Sequence, residues 1–254
     1  MAKALITGAS GGIGLELARL FAREHYEVVL VARNETRLEE IAGELRSNHH
    51  ESVEVIAKDL SLPDAVADVK RRSGHVDVLV NNAGFGLYGK FTDFSAEDDL
   101  NLMHLNMDAL VLLTQAFLPE MIQAGSGRIL NVASTAAFQA GPLMALYYAS
   151  KAFVLHFSEA IGNELEGTGV TVTTLCPGPT ETGFQARAAM EDARLMKMGM
   201  MSAKDVAEAG YRGLMAGKSI VIPGVRNRLT AELVRFAPRK LVTKIARKIQ
   251  EKVH

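Results

Sequence analysis

The chain has 254 residues, nearly half of them hydrophobic (48%), enough for a sizeable core in one or two domains. A formal net charge of −1 gives no general attraction to nucleic acid or to anionic membranes. The single cysteine, Cys176, excludes an intrachain disulfide and fits a reducing compartment. The opening MAKALITG runs straight into an apparent strand, leaving no room for a signal peptide, and no apolar run reads as membrane-spanning. The expectation is a soluble cytoplasmic protein.

Seven short runs, nearly all apolar, read as strands buried on both faces: 3–7, 27–32, 53–57, 77–80, 127–134, 170–175 and 219–223. Between them lie helical patterns at 12–24, 35–47, 62–72, 96–124, 146–166 and 203–216. Alternating β and α predicts a Rossmann-like, doubly wound α/β fold: a parallel sheet of about seven strands with helices on both faces. No Pro/Gly linker divides the chain, so 1–254 reads as one doubly wound domain. Residues 183–202, dense in methionine, read as a substrate lid, and 225–254 as a basic helical extension.

After the first predicted strand comes TGASGGIG (7–14), followed by a helix. Gly8, Gly12 and Gly14 permit a tight turn and close approach of a ligand, and the helix N-terminus suits a pyrophosphate. In this βαβ setting the pattern predicts a dinucleotide site that includes Ser10 and Ile13. The second strand ends VLVARNE. Where many NAD sites carry an acid, this chain has Ala32 and then Arg33. A guanidinium can pair a 2′-phosphate, which favours NADP(H) over NAD(H). Ser10 can offer the same phosphate a hydroxyl. Asp59, followed by Leu60, closes the third strand; it is placed either to meet adenine or to serve as a helix N-terminal acid before SLPD.

GRILNVASTAAF puts Ser134 at the carboxyl edge of a strand, where open α/β sheets bind ligands. In LYYASK, Tyr147 stands i to i+4 from Lys151 and Tyr148 stands i to i+3, so helix geometry does not choose between them. Either tyrosine beside this lysine is a candidate proton donor.

TGASGGIG, NNAG (81–84), Ser134, YYASK and PGPTET (177–182) follow one another in this order, and together they resemble the short-chain dehydrogenase/reductase family. The resemblance covers residue 3 to about 182, and the β–α rhythm carries it to about 223. The family's Tyr-x-x-x-Lys motif selects Tyr147 over Tyr148. It implies Tyr147 as acid/base, Lys151 on the nicotinamide ribose and holding down the tyrosine pKa, Ser134 on the substrate carbonyl, and Asn106 anchoring a water-linked proton relay. It also implies that Asn82, Ala83 and Gly84 lie along the cofactor, with Pro177, Gly178, Thr180 and Thr182 about the nicotinamide.

The implied function is an NADP-dependent oxidoreductase interconverting a ketone or aldehyde with an alcohol. The alternatives are a non-catalytic dinucleotide sensor on the same fold and a sugar epimerase or dehydratase. Phe85, Phe138, Met144 and Phe184 are candidate substrate contacts, and Met190, Met196, Met198, Met200 and Met201 an adaptable lid, which suits an apolar substrate. Arg187 and Arg194 also lie in that lid. Tyr148 reads as packing or pocket wall and Cys176 as a buried small residue. The histidines show no metal-ligand spacing; His49 and His50 read as loop and His104 and His156 as helix, so no metal is expected.

The resemblance implies a homodimer or homotetramer through 96–124 and 146–166. In the tail, Arg239, Lys240, Lys244, Arg247, Lys248 and Lys252 flank Leu241, Ile245 and Ile249. Such a helix can lie on an anionic membrane but more often buries its stripe on its own domain or a partner, and burial is the expectation here.

Overall fold

The computed structural model describes residues 1–49, 52–188, 190 and 199–251. His50, Arg194, Met196, Met198 and Lys252 lie outside the described residues, as do the side chains of His49 and Arg187.

Seven strands form one sheet: β1 (Lys3–Thr7), β2 (Glu27–Ala32), β3 (Val53–Ala57), β4 (Val78–Asn81), β5 (Gly127–Val132), β6 (Val170–Leu175) and, after two short strands given below, β9 (Ile220–Val221). The order is β3-β2-β1-β4-β5-β6-β9 and every pairing is parallel. The chain therefore starts in the middle, winds outward one way and then the other, which opens a crevice above the carboxyl ends of β1 and β4.

Alternate residues of each strand serve opposite faces. Ala4, Ile6, Val28 and Leu30 pack with Leu17, Phe21, Leu38, Ile41 and Leu214 from α1 (Gly12–Arg23), α2 (Glu35–His49) and α8 (Ala203–Met215). Leu5, Val29, Val31 and Leu79 pack on the other face with Val69, Leu113, Phe117 and Ile161 from α3 (Ala65–Ser73), α5 (Ala109–Ala124) and α6 (Ala145–Glu164). Strands buried on both sides explain the nearly continuous apolar runs.

Several boundaries differ from expectation. Helix α3 begins at Ala65, because Leu62 precedes Pro63 and is disfavoured from helical backbone, so 61–64 form a turn. Strand β9 ends before Pro223, which has no N–H to give a ladder. Helix α2 runs on to His49, which the sequence placed in a loop. The predicted 96–124 helix is α4 (Ala96–Met103), one π-helical turn (His104–Asp108) and α5. Taken whole, Ala96–Ala124 is long and apolar enough to cross a membrane by composition, contrary to the sequence reading. Its buried face, Leu110, Leu113, Phe117 and Met121, packs into the core.

A buried amide network ties the strand ends together. Asn81 Nδ2 donates to Asn131 Oδ1 at 2.9 Å and to Thr114 Oγ1 at 3.3 Å, while Asn131 Nδ2 donates to Ser158 Oγ at 2.8 Å. Beyond the sheet, β7 (Thr180–Glu181) pairs β8 (Met201–Ser202), tying the ends of the methionine-rich segment that holds α7 (Phe184–Ala188). Helices α9 (Val225–Val234) and α10 (Arg239–Gln250) close the chain.

Candidate active site

A cavity of about 640 Å³ occupies the crevice at the carboxyl edge of the sheet. It is bounded by the β1–α1 turn, the ends of β2 to β6, the first turns of α6, and parts of α7, α9 and α10.

The β1–α1 turn is a cradle made of missing side chains. Gly8 has φ +66° and Gly12 φ +55°, left-handed backbone that suits glycine. A Cβ on Gly8 would stand 2.7 Å from Asn82 Nδ2, and one on Gly14 would run into the Gly8 carbonyl. Gly14 thus lies beneath the cavity wall, where it lets α1 pack on the turn. Gly11 caps α1 with no side-chain bond, and the first turn carries no acid. The N–H groups and positive helix end remain for an anion, so the turn fits a dinucleotide's pyrophosphate.

Thr7 Oγ1 receives the N–H groups of Asn82 and Ala83 at 2.9 and 3.0 Å, and Asn82 Nδ2 donates to the Thr7 carbonyl at 2.8 Å. Asn82 therefore lines the cavity while its amide braces the glycine turn.

At the β2–β3 end, Arg33 Nη1 lies 3.7 Å from Asp59 Oδ2, with the guanidinium side chain more than half exposed. Asp59 Oδ1 also accepts from Ser61 N at 3.0 Å and Ser61 Oγ at 2.7 Å. Burial opposes ionisation of this carboxyl, but the Ser61 bonds and Arg33 outweigh it and hold its pKa below the usual value. Of the two readings of Asp59, the helix N-terminal one is not realised, since α3 begins at Ala65 after Asp64; Asp59 instead caps a turn at Ser61 and lines the cavity edge. Lys58 and Asn34 line the same end, which the sequence reading missed. They are the neighbours of the two residues it singled out.

At the other functional cluster, Ser134 caps a 3₁₀ turn (Thr135–Phe138), accepting from Ala136 N at 3.1 Å, and its hydroxyl also bonds the Tyr147 phenol. Lys151 Nζ is 5.8 Å from the Tyr147 ring centre and donates to the Val132 carbonyl at 2.8 Å. Burial pushes the Tyr147 phenol well above the usual tyrosine value; Ser134 opposes this and Tyr148 adds to it. That direction is opposite to the lowering expected from Lys151. The same burial brings the Lys151 ammonium down to about 8. Tyr147 is therefore a neutral, proton-bearing phenol.

The two tyrosines have different company. Tyr147 faces Phe184, with ring centres 5.2 Å apart. The Tyr148 ring lies against Gly141, where any Cβ would collide with it, and its hydroxyl takes a hydrogen bond from Gln250 Nε2.

Asn106 sits in the π-helical turn, 2% exposed and behind the cavity wall. Its Oδ1 accepts from Phe85 N at 3.0 Å, and its Nδ2 donates to the Phe85 carbonyl at 2.9 Å and to Ser150 Oγ at 3.0 Å. A Cβ on Gly84 would lie 3.0 Å from Asn106 Oδ1 and 3.5 Å from Lys151 Nζ, so Gly84 keeps a space open between them.

Ser10, Ile13, Leu60, Ala83, Gly84, Pro177, Gly178, Thr180 and Thr182 line the cavity, as do Met144 and Phe184. Phe85 and Phe138 do not. Phe85 contributes its backbone to Asn106, and Phe138 packs against the core group containing Leu110, Val154 and Cys176. Phe138 closes the 3₁₀ turn and packs inward rather than towards the cavity. Cys176 is fully buried, its thiol pushed up to about 12 by burial, as a small core residue should be. Among the described residues no cluster of His, Cys, Asp and Glu could hold a metal ion.

The sequence reading also missed the cavity's C-terminal wall. Asn227, Thr230 and Ala231 of α9 and Ala246 and Gln250 of α10 line it. Gln250 is 1% exposed, and its backbone carbonyl accepts from the Tyr88 hydroxyl at 2.5 Å. Of the predicted apolar stripe on α10, Ile249 turns to the cavity, whereas Leu241 and Ile245 are 50% exposed, so the chain's own domain does not cover them.

A glycine cradle for a dinucleotide, with Ser134, Tyr147 and Lys151 gathered on the same cavity, defines a nucleotide-dependent oxidoreductase class of site. The short chain dehydrogenase family model matches residues 2–193, and the chain belongs to that family. A ketoacyl reductase of Nostoc sp. is 31% identical over 238 residues, 92% of this chain and 78% of the relative. Among solved structures, a short-chain dehydrogenase from Sphingobium yanoikuyae in complex with NADPH superposes with a TM-score of 0.85 at 32% identity, covering 95% of each chain. The bulky-bulky ketone specific alcohol dehydrogenase from Comamonas testosteroni gives a TM-score of 0.80 at 30% identity, covering 93% of this chain and 92% of that one.

Proposed function

We propose that this oxidoreductase uses NADP(H) to interconvert a fairly apolar ketone or aldehyde with its alcohol. The observation that carries the reading is a neutral, half-buried Tyr147 bonded to Ser134 in the cavity that also holds the glycine cradle. A nicotinamide cofactor, when bound, supplies or accepts the hydride.

The chain's own residues do the rest. In reduction, negative charge builds on the carbonyl oxygen, and Ser134 and Tyr147 donate to it where it develops. Tyr147 completes the step by giving up its proton, and the Lys151 ammonium stabilises the phenolate left behind. Asn106 and Lys151, meeting beside Gly84, support a water-linked path that returns a proton to Tyr147. Met144, Phe184, Met190 and Ile249 supply apolar wall, to which Gly183, Gln185 and Gly199 of the methionine-rich segment add. The ketone specificity of the Comamonas alcohol dehydrogenase agrees with this substrate class. The test is NADPH oxidation against a panel of aldehydes, ketones and quinones; turnover confined to polar members would overturn the apolar assignment.

NADPH preference rests on Arg33, with Lys58 beside it and Asp59 already engaged. Arg33→Asp should weaken NADPH binding by roughly tenfold or more while leaving NADH binding nearly unchanged, as loss of a charge-assisted bond predicts. Fluorescence titration with both cofactors reads this directly, and equal losses would sink the assignment.

For assembly we propose a homodimer or homotetramer through α4 to α6. Leu100, Leu112 and Phe153 are exposed there, and Phe153 stacks on Phe157 with ring centres 5.8 Å apart. Leu112→Glu should shift sedimentation equilibrium towards monomer; an unchanged mass would remove this face from consideration. A reducing cytoplasm is the proposed compartment.

A further inference from the structure

The outer faces of α9 and α10 and the turn between them expose six large apolar side chains that the catalytic reading leaves unused. Val225, Leu229 and Leu233 recur at helical spacing along α9, Phe236 follows its C-terminus, and α10 exposes Leu241 and Ile245 one turn apart. Exposure runs from 50% at Leu241 and Ile245 to 86% at Phe236. These side chains point away from the cavity, because the opposite sides of the same helices form its wall through Asn227, Thr230, Ala231, Ala246, Ile249 and Gln250. The bonds from Tyr88 and Gln250 hold α10 in that orientation.

Charge accompanies the stripe. Residues 225–251 contain eight Lys and Arg against two acids, Glu232 and Glu251. The whole chain has 28 basic and 29 acidic residues. Positive charge is thus gathered at one end of a chain that is otherwise acidic, a separation that the overall −1 conceals.

We infer that the α9–α10 face docks on an anionic lipid bilayer. An apolar stripe flanked by lysine and arginine is what lies flat at a membrane surface, with the stripe among the acyl chains and the cations among the headgroups. A second copy of this chain fits poorly, because a two-fold interface would set the same positive patch against itself. A bilayer, unlike a folded partner, needs no groove to receive two helices. Docking this way brings the helical wall of the cavity to the membrane, the phase in which an apolar substrate dissolves. The surface itself does not depend on the catalytic reading, and its test needs no turnover.

The experiment is co-sedimentation of the full chain with vesicles of phosphatidylcholine alone and of equal parts phosphatidylcholine and phosphatidylglycerol, at low and high salt. Binding to the anionic vesicles should exceed binding to the neutral ones by about tenfold or more and should weaken as salt screens the headgroups. Phe236→Glu and the Lys240→Glu/Lys244→Glu pair, none of which lines the cavity, should each lose most of the bound fraction with unchanged thermal melting. Failure to sediment with anionic vesicles at low salt overturns the inference, and so does wild-type binding by both variants. If vesicles are ignored and Phe236→Glu converts a dimer into a monomer in sedimentation equilibrium, the face belongs to a second copy and the lipid assignment is wrong.

Discussion

Tyr147→Phe should lower carbonyl reduction by about 10²–10⁴-fold, the usual worth of a positioned general acid, while cofactor affinity stays near wild type. Tyr148→Phe should do the reverse, keeping kcat within a few-fold and lowering stability. The difference follows from what each hydroxyl touches. That of Tyr147 meets Ser134 at the cavity, so its removal deletes the proton donor and little else. That of Tyr148 receives the buried Gln250 amide, and phenylalanine there strands a donor that is out of reach of water, at a cost of about 1–3 kcal/mol. Steady-state kinetics and melting of the two variants side by side decide the matter. If Tyr148→Phe is the inactive one, Tyr147 is not the acid and the roles given to Ser134 and Lys151 fall with it.

What the residues disclosed in advance depended on how local the cause was. Strands β1, β2, β3 and β6 lie where their apolar runs put them, because burial on both faces leaves little choice of residue. The glycine turn was legible for the same reason: only a residue without Cβ fits beside Asn82 and the Gly8 carbonyl. Asn106 was named, but its seat in a π-helical turn was not, since the bonds that hold it come from Phe85 and Ser150, distant in sequence. The inward turn of Gln250 was hidden too. A polar residue near the end of a basic helix reads as solvated, and only the arrival of Tyr88 and Tyr148 from far upstream makes its burial tolerable. For α10, periodicity found the apolar side chains correctly but could not say that the domain would take the face with Ala246 and Gln250 and leave Leu241 and Ile245 outside.

The direction of the tyrosine pKa is a related case. Lysine one turn away suggested a lowered value, an argument about one neighbour. Folding adds what the sequence does not display: Lys151 is buried and Tyr147 half-buried, and desolvation acts on each against its charged form, raising the phenol and lowering the ammonium. A positively charged Lys151 in such a place burdens the fold, which makes its contribution to stability measurable.

Lys151→Met should therefore make the cofactor-free protein more stable near pH 7 and less stable near pH 10, while turnover is lost at both. Burial lowers the ammonium from 10.5 in the free side chain to about 8, a destabilisation of roughly 3 kcal/mol while the group must carry its charge in the folded protein. Below about pH 8 that cost is fully present. Between about 8 and 10.5 the unfolded chain binds the proton and the folded one does not, so wild-type stability rises with pH and the burden disappears. Methionine carries no charge at any pH, but it leaves the Val132 carbonyl without its 2.8 Å donor, a loss of about 1–3 kcal/mol that does not titrate. The sum favours the variant by about 1 kcal/mol near neutrality and the wild type by a similar amount near pH 10. Urea unfolding of both proteins at the two pH values isolates the effect, because every other ionisable group changes alike in the pair. A stability difference that keeps its sign from about pH 7 to about pH 10 would mean that Lys151 does not lose its proton in the folded protein in this range, and that the cavity holds its ammonium more comfortably than its burial implies.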